Sequence, residues 1–178
     1  ETFVRLFPYH LSRYIVEELE DAGKTDELQE VVTRIVDNYR EYREAFVWVA
    51  KNLDAEWLSS YGVEYEKVLI SMVHLLDITF REIENRRDVS ENRRLNRQIQ
   101  TFLFKDGNLS DFVSRADEES INRIYTLVED VSDLDPSYVI ELRQQITERF
   151  PDFKFFGADA ALTPAAAHKP PRSKVVRS

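Results

Sequence analysis

The 178-residue chain is 43% apolar and 12% aromatic, a composition that can bury a core and excludes wholesale disorder. It has no cysteine, which removes disulfides and thiolate metal sites, and no run near the roughly 18 apolar residues that a membrane-spanning helix needs. The net charge of −9 is divided unevenly: the stretch after Gly157 carries +3 and the body therefore −12, a field that repels nucleic-acid phosphates.

Only four glycines and six prolines are present, several at segment borders, which points to long helices joined by short turns. Phe7-Pro8 starts a helix, because proline's missing N–H costs nothing in a first turn. Tyr14, Ile15 and Leu19 mark its apolar stripe and Gly23 its left-handed stop. Thr25 is expected to cap the next helix, with Asp26 and Glu27 favourable near its positive end. Leu28, Val31, Val32, Ile35, Val36 and Tyr39 then recur at helical spacing. A third helix is expected over 42–53, carrying Phe46, Trp48 and Val49.

Beyond Trp57, Leu58 and a break at Tyr61-Gly62 lies the strongest periodic signal. Tyr65, Val68, Leu69, Met72, Val73, Leu76, Phe80 and Ile83 occupy one continuous helical face, which predicts a helix over 64–85. Arg86-Arg87-Asp88-Val89-Ser90 interrupts it, and Ser90 is expected to cap a further helix through Leu95, Ile99, Phe102 and Leu103. Lys105-Asp106-Gly107-Asn108 is a turn. Asp117, with Glu118 and Glu119, opens a helix striped by Ile121, Ile124, Tyr125, Val128 and Val131. Asp135-Pro136, an N-cap followed by an N1 proline, starts the last helix, which runs through Val139, Leu142 and Ile146 and stops before Phe150-Pro151.

Phe153, Phe155 and Phe156 have no helical period; they are expected to fold back over the end of the bundle, the alternative being an exposed docking knob. Residues 158–178, rich in alanine, proline and basic side chains, read as a flexible linker. The fold expected is all-α: an irregular helical bundle or short helical-repeat-like stack of about seven helices, with a helical domain over 1–157 and a disordered tail. No fixed repeat of about 34 or 40 residues aligns.

Catalytic chemistry finds no foothold. His10, His74 and His168 are scattered and form no metal-binding pair, so no metal or cofactor is expected. His74 and Asp77, three apart on a helix, could meet, and a structural hydrogen bond is the expected outcome rather than a catalytic dyad. There is no nucleophile elbow, and the four glycines are isolated, so no loop can cradle phosphate. Acid pairs such as Glu82 and Glu84, or Asp117 with Glu118 and Glu119, suit helix ends and solvated faces. The chain is therefore expected not to be an enzyme. The most unusual patch is Arg86, Arg87, Arg93, Arg94 and Arg97, five arginines within twelve residues of an acidic body. Interleaved carboxylates allow exposed salt bridges worth only ~0–1 kcal/mol each. Asn85, Asn92 and Asn96 are concentrated there too, so the patch either fixes a helix joint or reads an acidic partner.

The run Leu75-Leu76-Asp77-Ile78-Thr79-Phe80-Arg81-Glu82-Ile83-Glu84-Asn85-Arg86-Arg87-Asp88 resembles a helical extension ahead of the Gre domain in spirochaete-type transcription elongation factors of the GreA/GreB family. So do Asn92-Arg93-Arg94-Leu95-Asn96, Phe102-Leu103-Phe104-Lys105-Asp106 and Phe150-Pro151-Asp152-Phe153-Lys154-Phe155-Phe156. The resemblance covers about residues 64–157, with the first sixty matching only loosely. It implies a cytoplasmic protein whose partner is RNA polymerase and whose process is rescue of backtracked elongation complexes. In that family an antiparallel coiled coil carries an acidic tip that helps hold a catalytic Mg²⁺. No segment here matches the tip, so no catalytic residue carries over. The chain then reads as an excised piece whose cleavage function would follow Ser178. The expected role is an interaction domain, with Arg86, Arg87, Arg93, Arg94, Arg97, Phe153, Phe155 and Phe156 as candidate partner-binding residues. The alternatives are a helical scaffold unrelated to transcription, or a weak nucleic-acid binder through the arginine patch.

Overall fold

The structure is a computed structural model that describes residues 17–60 and 62–155. Among these residues every regular element is helical: α1 (Thr25–Asp37), α2 (Arg43–Asn52), α3 (Ala55–Ser60), α4 (Tyr65–Glu84), α5 (Val89–Gln100), α6 (Asn108–Arg115), α7 (Glu118–Glu129) and α8 (Pro136–Arg149). A π-helical turn, Thr101–Lys105, continues α5. Residues 17–21 are also helical, and Gly23 (φ 66°) stops them as its position suggested. The predicted features at Phe7-Pro8, Tyr14, Ile15, Tyr61, Phe156 and 158–178 lie outside the described residues, as do His10 and His168.

α4 is the spine. It contains neither glycine nor proline over 20 residues, and it buries Val68, Leu69, Met72, Val73, Leu75 and Leu76. α2, α3, α5 and α7 all pack against it. The apolar stripe legible in the sequence is thus the wall on which the other helices assemble, and one contiguous core runs from Leu28 in α1 to Phe153 beyond α8. Towards the end of α4 the stripe emerges: Phe80 and Ile83 are only partly buried. None of the described helices is long and apolar enough to cross a membrane.

Among the described residues, eight α-helices and the helical stretch 17–21 stand where about seven helices were expected, the two additions being α3 and α6, which span six and eight residues. Two turns offer too few apolar positions to show a period: α6 buries only Leu109, Phe112 and Val113. Two predicted caps are corrected. Thr25 is the first helical residue of α1, with Lys24 in the cap position and no side-chain bond. The preceding helix closes through Gly23 N–H to the Glu20 carbonyl and Lys24 N–H to the Leu19 carbonyl, so the chain enters α1 directly from that turn. Ser90 likewise lies inside α5, with Asp88 at the cap position. The other two predicted caps form: Asp117 accepts from Ser120 N–H at 2.8 Å, and Asp135 from Ser137 N–H at 2.9 Å with Pro136 at N1.

The π-helical turn is held by Asn108. Its Nδ2 donates to the Phe102 carbonyl at 2.7 Å, while its Oδ1 accepts from Tyr65 Oη at 2.8 Å. One side chain thereby satisfies a carbonyl at the end of the α5 run and ties it to the start of α4.

Candidate functional site

The joint between α4 and α5 is where the candidate arginines cluster. α4 closes through Arg86 N–H to the Ile83 carbonyl at 3.1 Å and Arg87 N–H to the Glu82 carbonyl at 2.8 Å. Glycine usually occupies the left-handed residue of such a closure. Here Arg86 (φ 58°) and Asp88 (φ 40°) take that conformation, at a cost of roughly 1–2 kcal/mol for a residue with a Cβ.

A polar lock holds the joint in place. Asn92 in α5 is buried, and its Nδ2 donates to the Arg87 carbonyl at 3.0 Å and to Glu82 Oε2 at 2.9 Å. Arg43, the first residue of α2, grips both Glu82 oxygens at 2.6 and 2.8 Å and reaches Asn92 Oδ1 at 3.4 Å. The Arg43 hydrogen bonds, helped by Asn92, hold the Glu82 carboxyl below its usual range against the opposing pull of burial. The same contact raises Arg43. Deeper in the interface, buried Asn96 donates to Thr79 Oγ1 at 3.0 Å, and Thr79 donates to the Leu76 carbonyl at 2.7 Å. Asn92 and Asn96 therefore fix the joint from within, by side-chain bonds across α4 and α5, while Asn85 stands exposed at the C-cap position of α4.

The five arginines divide. Arg94 forms an ion pair with Glu44 of α2. Arg86, Arg87, Arg93 and Arg97 are exposed, and among the described residues none of them has an ion-pair partner. The salt-bridge network foreseen as one reading of this patch thus involves Arg94 alone. A cleft of about 360 Å³ opens beside the joint, lined by Arg40, Glu44, Glu82, Asp88, Glu91 and Asn92 among others. Two of its acids, Glu82 and Glu44, are already engaged by arginine.

The aromatic candidates lie at the other end. Phe153 is buried and Phe155 partly so, their ring centroids 4.8 Å apart. Phe155 meets Tyr125 edge-on at 5.0 Å. Between α7 and α8 sits Arg143, fully buried, its guanidinium 4.9 Å from the Phe155 ring centre and 5.5 Å from that of Tyr125. It donates to Tyr125 Oη and pairs with Glu129 at 3.1 Å. Burial of Phe153 removes most of its ring from solvent, so Phe153 and Phe155 pack over the bundle end beside Tyr125.

His74 and Asp77 do not form a pair. Tyr39 Oη sits 3.1 Å from His74 Nδ1, and Asp77 binds Arg81 at 2.9 Å, one turn along the same helix. Spacing brought Asp77 within range of two partners, and the permanent cation won. Burial, then the nearby Arg40, lowers the His74 pKa from its ordinary value. Among the described residues no group of three or more histidines and acids is placed to hold a metal.

Two structural contributors escaped sequence reasoning. Arg43 carries no local signal, because its partner lies 39 residues away. Arg143 did leave one: with Val139, Leu142 and Ile146 it falls on the apolar stripe of α8, where a charge requires a buried partner.

A helical core with a locked joint and projecting arginines defines an all-helical domain with one candidate contact region. The chain belongs to the family described as the GreA-associated C-terminal domain, whose model matches residues 1–139. It is also similar to the transcription elongation factor GreA of Borreliella burgdorferi, at 24% identity over 158 residues. That match takes in 86% of this chain and only 17% of the relative, so the chain spans about a sixth of that protein's length. No solved structure matches the chain. The family match includes the first sixty residues, which the sequence resemblance covered only loosely, and it ends inside α8. Leu142, Ile146 and Phe153 belong to the same apolar core, so the folded unit extends past that limit.

Proposed function

We propose that this domain is a non-catalytic docking module of a Gre-type transcription elongation factor, and that it strengthens the hold of that factor on RNA polymerase in the bacterial cytoplasm. The observation that carries this is the similarity to a GreA protein over most of this chain but a small part of that relative. A segment of that proportion, with an acidic body and a scaffold-like core, suits an accessory role. The chemistry of transcript cleavage is then left to the remainder of the factor.

Interferometry with core RNA polymerase, using this chain and the full-length factor that carries it, tests the reading. The domain is expected to improve the factor's affinity by about tenfold, equivalent to about 1.4 kcal/mol. In cleavage assays on backtracked complexes, deleting the domain should raise the factor concentration needed for half-maximal rate and leave the saturated rate unchanged. Equal affinity with and without the domain would remove the proposal.

A further inference from the structure

Thirteen arginines lie within the described residues. Nine of them have a polar partner there: Arg34, Arg43, Arg81, Arg94, Arg115, Arg123 and Arg143 each meet a carboxylate, Arg40 the Tyr39 hydroxyl, and Arg149 the Val113 and Ala116 carbonyls. The four without one, Arg86, Arg87, Arg93 and Arg97, all belong to the α4–α5 joint and the outer face of α5. Carboxylates are close in sequence, at Glu84, Asp88 and Glu91, yet none is within ion-pair distance of these four. In a body of net charge −12, a cluster of guanidiniums without ion-pair partners runs against the surrounding field.

The backbone supplies an independent observation. Glycine would adopt the conformations of residues 86 and 88 without strain, but the chain places an arginine and an aspartate there. The joint is held by a lock made of buried Asn92, the bidentate Arg43–Glu82 pair, and the Asn96–Thr79 bond beneath it. The result is a fixed corner from which the side chains at 86 and 87 project, followed by Arg93 and Arg97 one turn apart on α5. Side chains spaced four apart on a helix stand roughly 5–6 Å from each other. Because that corner is held before any partner arrives, less freedom is lost on binding.

From this we infer that Arg86, Arg87, Arg93 and Arg97 form a preset cationic edge that docks a carboxylate-bearing surface of a protein partner. Guanidinium groups pair with carboxylates bidentately, and a partner helix bearing acids one turn apart would match Arg93 and Arg97 in register. A protein is the occupant rather than nucleic acid, because a body of −12 opposes a polyanion at every approach, whereas discrete carboxylates engage at contact and within a Debye length. The inference rests on the docking reading for the existence of a partner, but not for its identity.

The test places a photo-crosslinking benzoylphenylalanine at Ser90, exposed between the arginines, in the full-length factor in cells. The control carries the same label at Asn122, exposed on α7. An adduct from position 90 on an acid-rich protein segment is expected. It should fall at least about tenfold with Arg93→Glu and Arg97→Glu together, and return when the mapped carboxylates are changed to lysine. Thermal melts check that the variant folds; should it not, the Arg93→Gln and Arg97→Gln pair is read instead. An adduct on polymerase supports both this surface and the docking proposal, while one on another protein supports the surface and sinks the polymerase reading. An adduct on nucleic acid, one indifferent to charge reversal, or none beyond that from Asn122 would overturn the cationic edge.

Discussion

Arg143 carries a full charge in a fully buried position, so its surroundings must replace water. Glu129, the Tyr125 hydroxyl and the faces of Tyr125 and Phe155 do so. Truncation to alanine would leave Glu129 with its charge and no partner, in a place that is nearly closed to solvent. Arg143→Ala is therefore expected to cost roughly 3–5 kcal/mol in urea melts. The double change Arg143→Met with Glu129→Leu removes both charges and should cost much less. If the two variants melt alike, the ion pair is not what holds that interface. Glu82 permits a second prediction at this scale. Its carboxyl is held below the ordinary range by Arg43, so the folded state favours the charged form. That contribution is fully present above the unfolded pKa of about 4.3 and is lost as pH falls through the lower folded value. Relative to Glu82→Gln, the wild-type chain should be more stable at pH 7, and the difference should shrink below about pH 4.3.

At the scale of elements, the length of a helix decided how visible it was. α4 presents its apolar face for more than five turns, and the period selects Val68, Leu69, Met72, Val73 and Leu76 among its buried residues, while Ser71, Leu75 and Thr79 are buried beside the predicted stripe. Leu69→Ala or Leu76→Ala should lower stability by roughly 2–5 kcal/mol in denaturant melts, since both side chains are within 1% of complete burial. A neutral result for both would mean that this face does not line the core. α3 and α6 gave no such signal, being one to two turns long. Caps followed a different rule. Asp117 and Asp135 begin helices after extended backbone and could bond forward, as their chemistry predicts. Thr25 and Ser90 could not, because a tight closure of the preceding helix leaves the chain already helical when it reaches them.

For the whole molecule, the limit of the family match and the limit of the folded unit differ. The match ends at residue 139, but α8 continues to Arg149 and the core to Phe153. A chain ending at residue 139 would lose Leu142, Arg143, Ile146 and Phe153, exposing the faces of α6 and α7 that they cover. It is expected to lose its cooperative thermal transition, which a chain ending at residue 157 should keep. Retention of a wild-type melting temperature by the shorter chain would show that α8 merely leans on the domain.

The all-helical class, the spine at α4, the starts of α7 and α8 and the prominence of the arginine cluster were all present in the order of residues. Each depends on neighbours within a turn or two, where spacing and side-chain chemistry act directly. Which arginines are consumed and which stay free was not. Arg43 reaches Glu82 across 39 residues and Arg94 reaches Glu44 across 50, while Arg143 finds Glu129 only after α7 and α8 have packed. Partners brought together by packing leave no periodic trace, because the chain between them can be threaded in many ways until the core selects one.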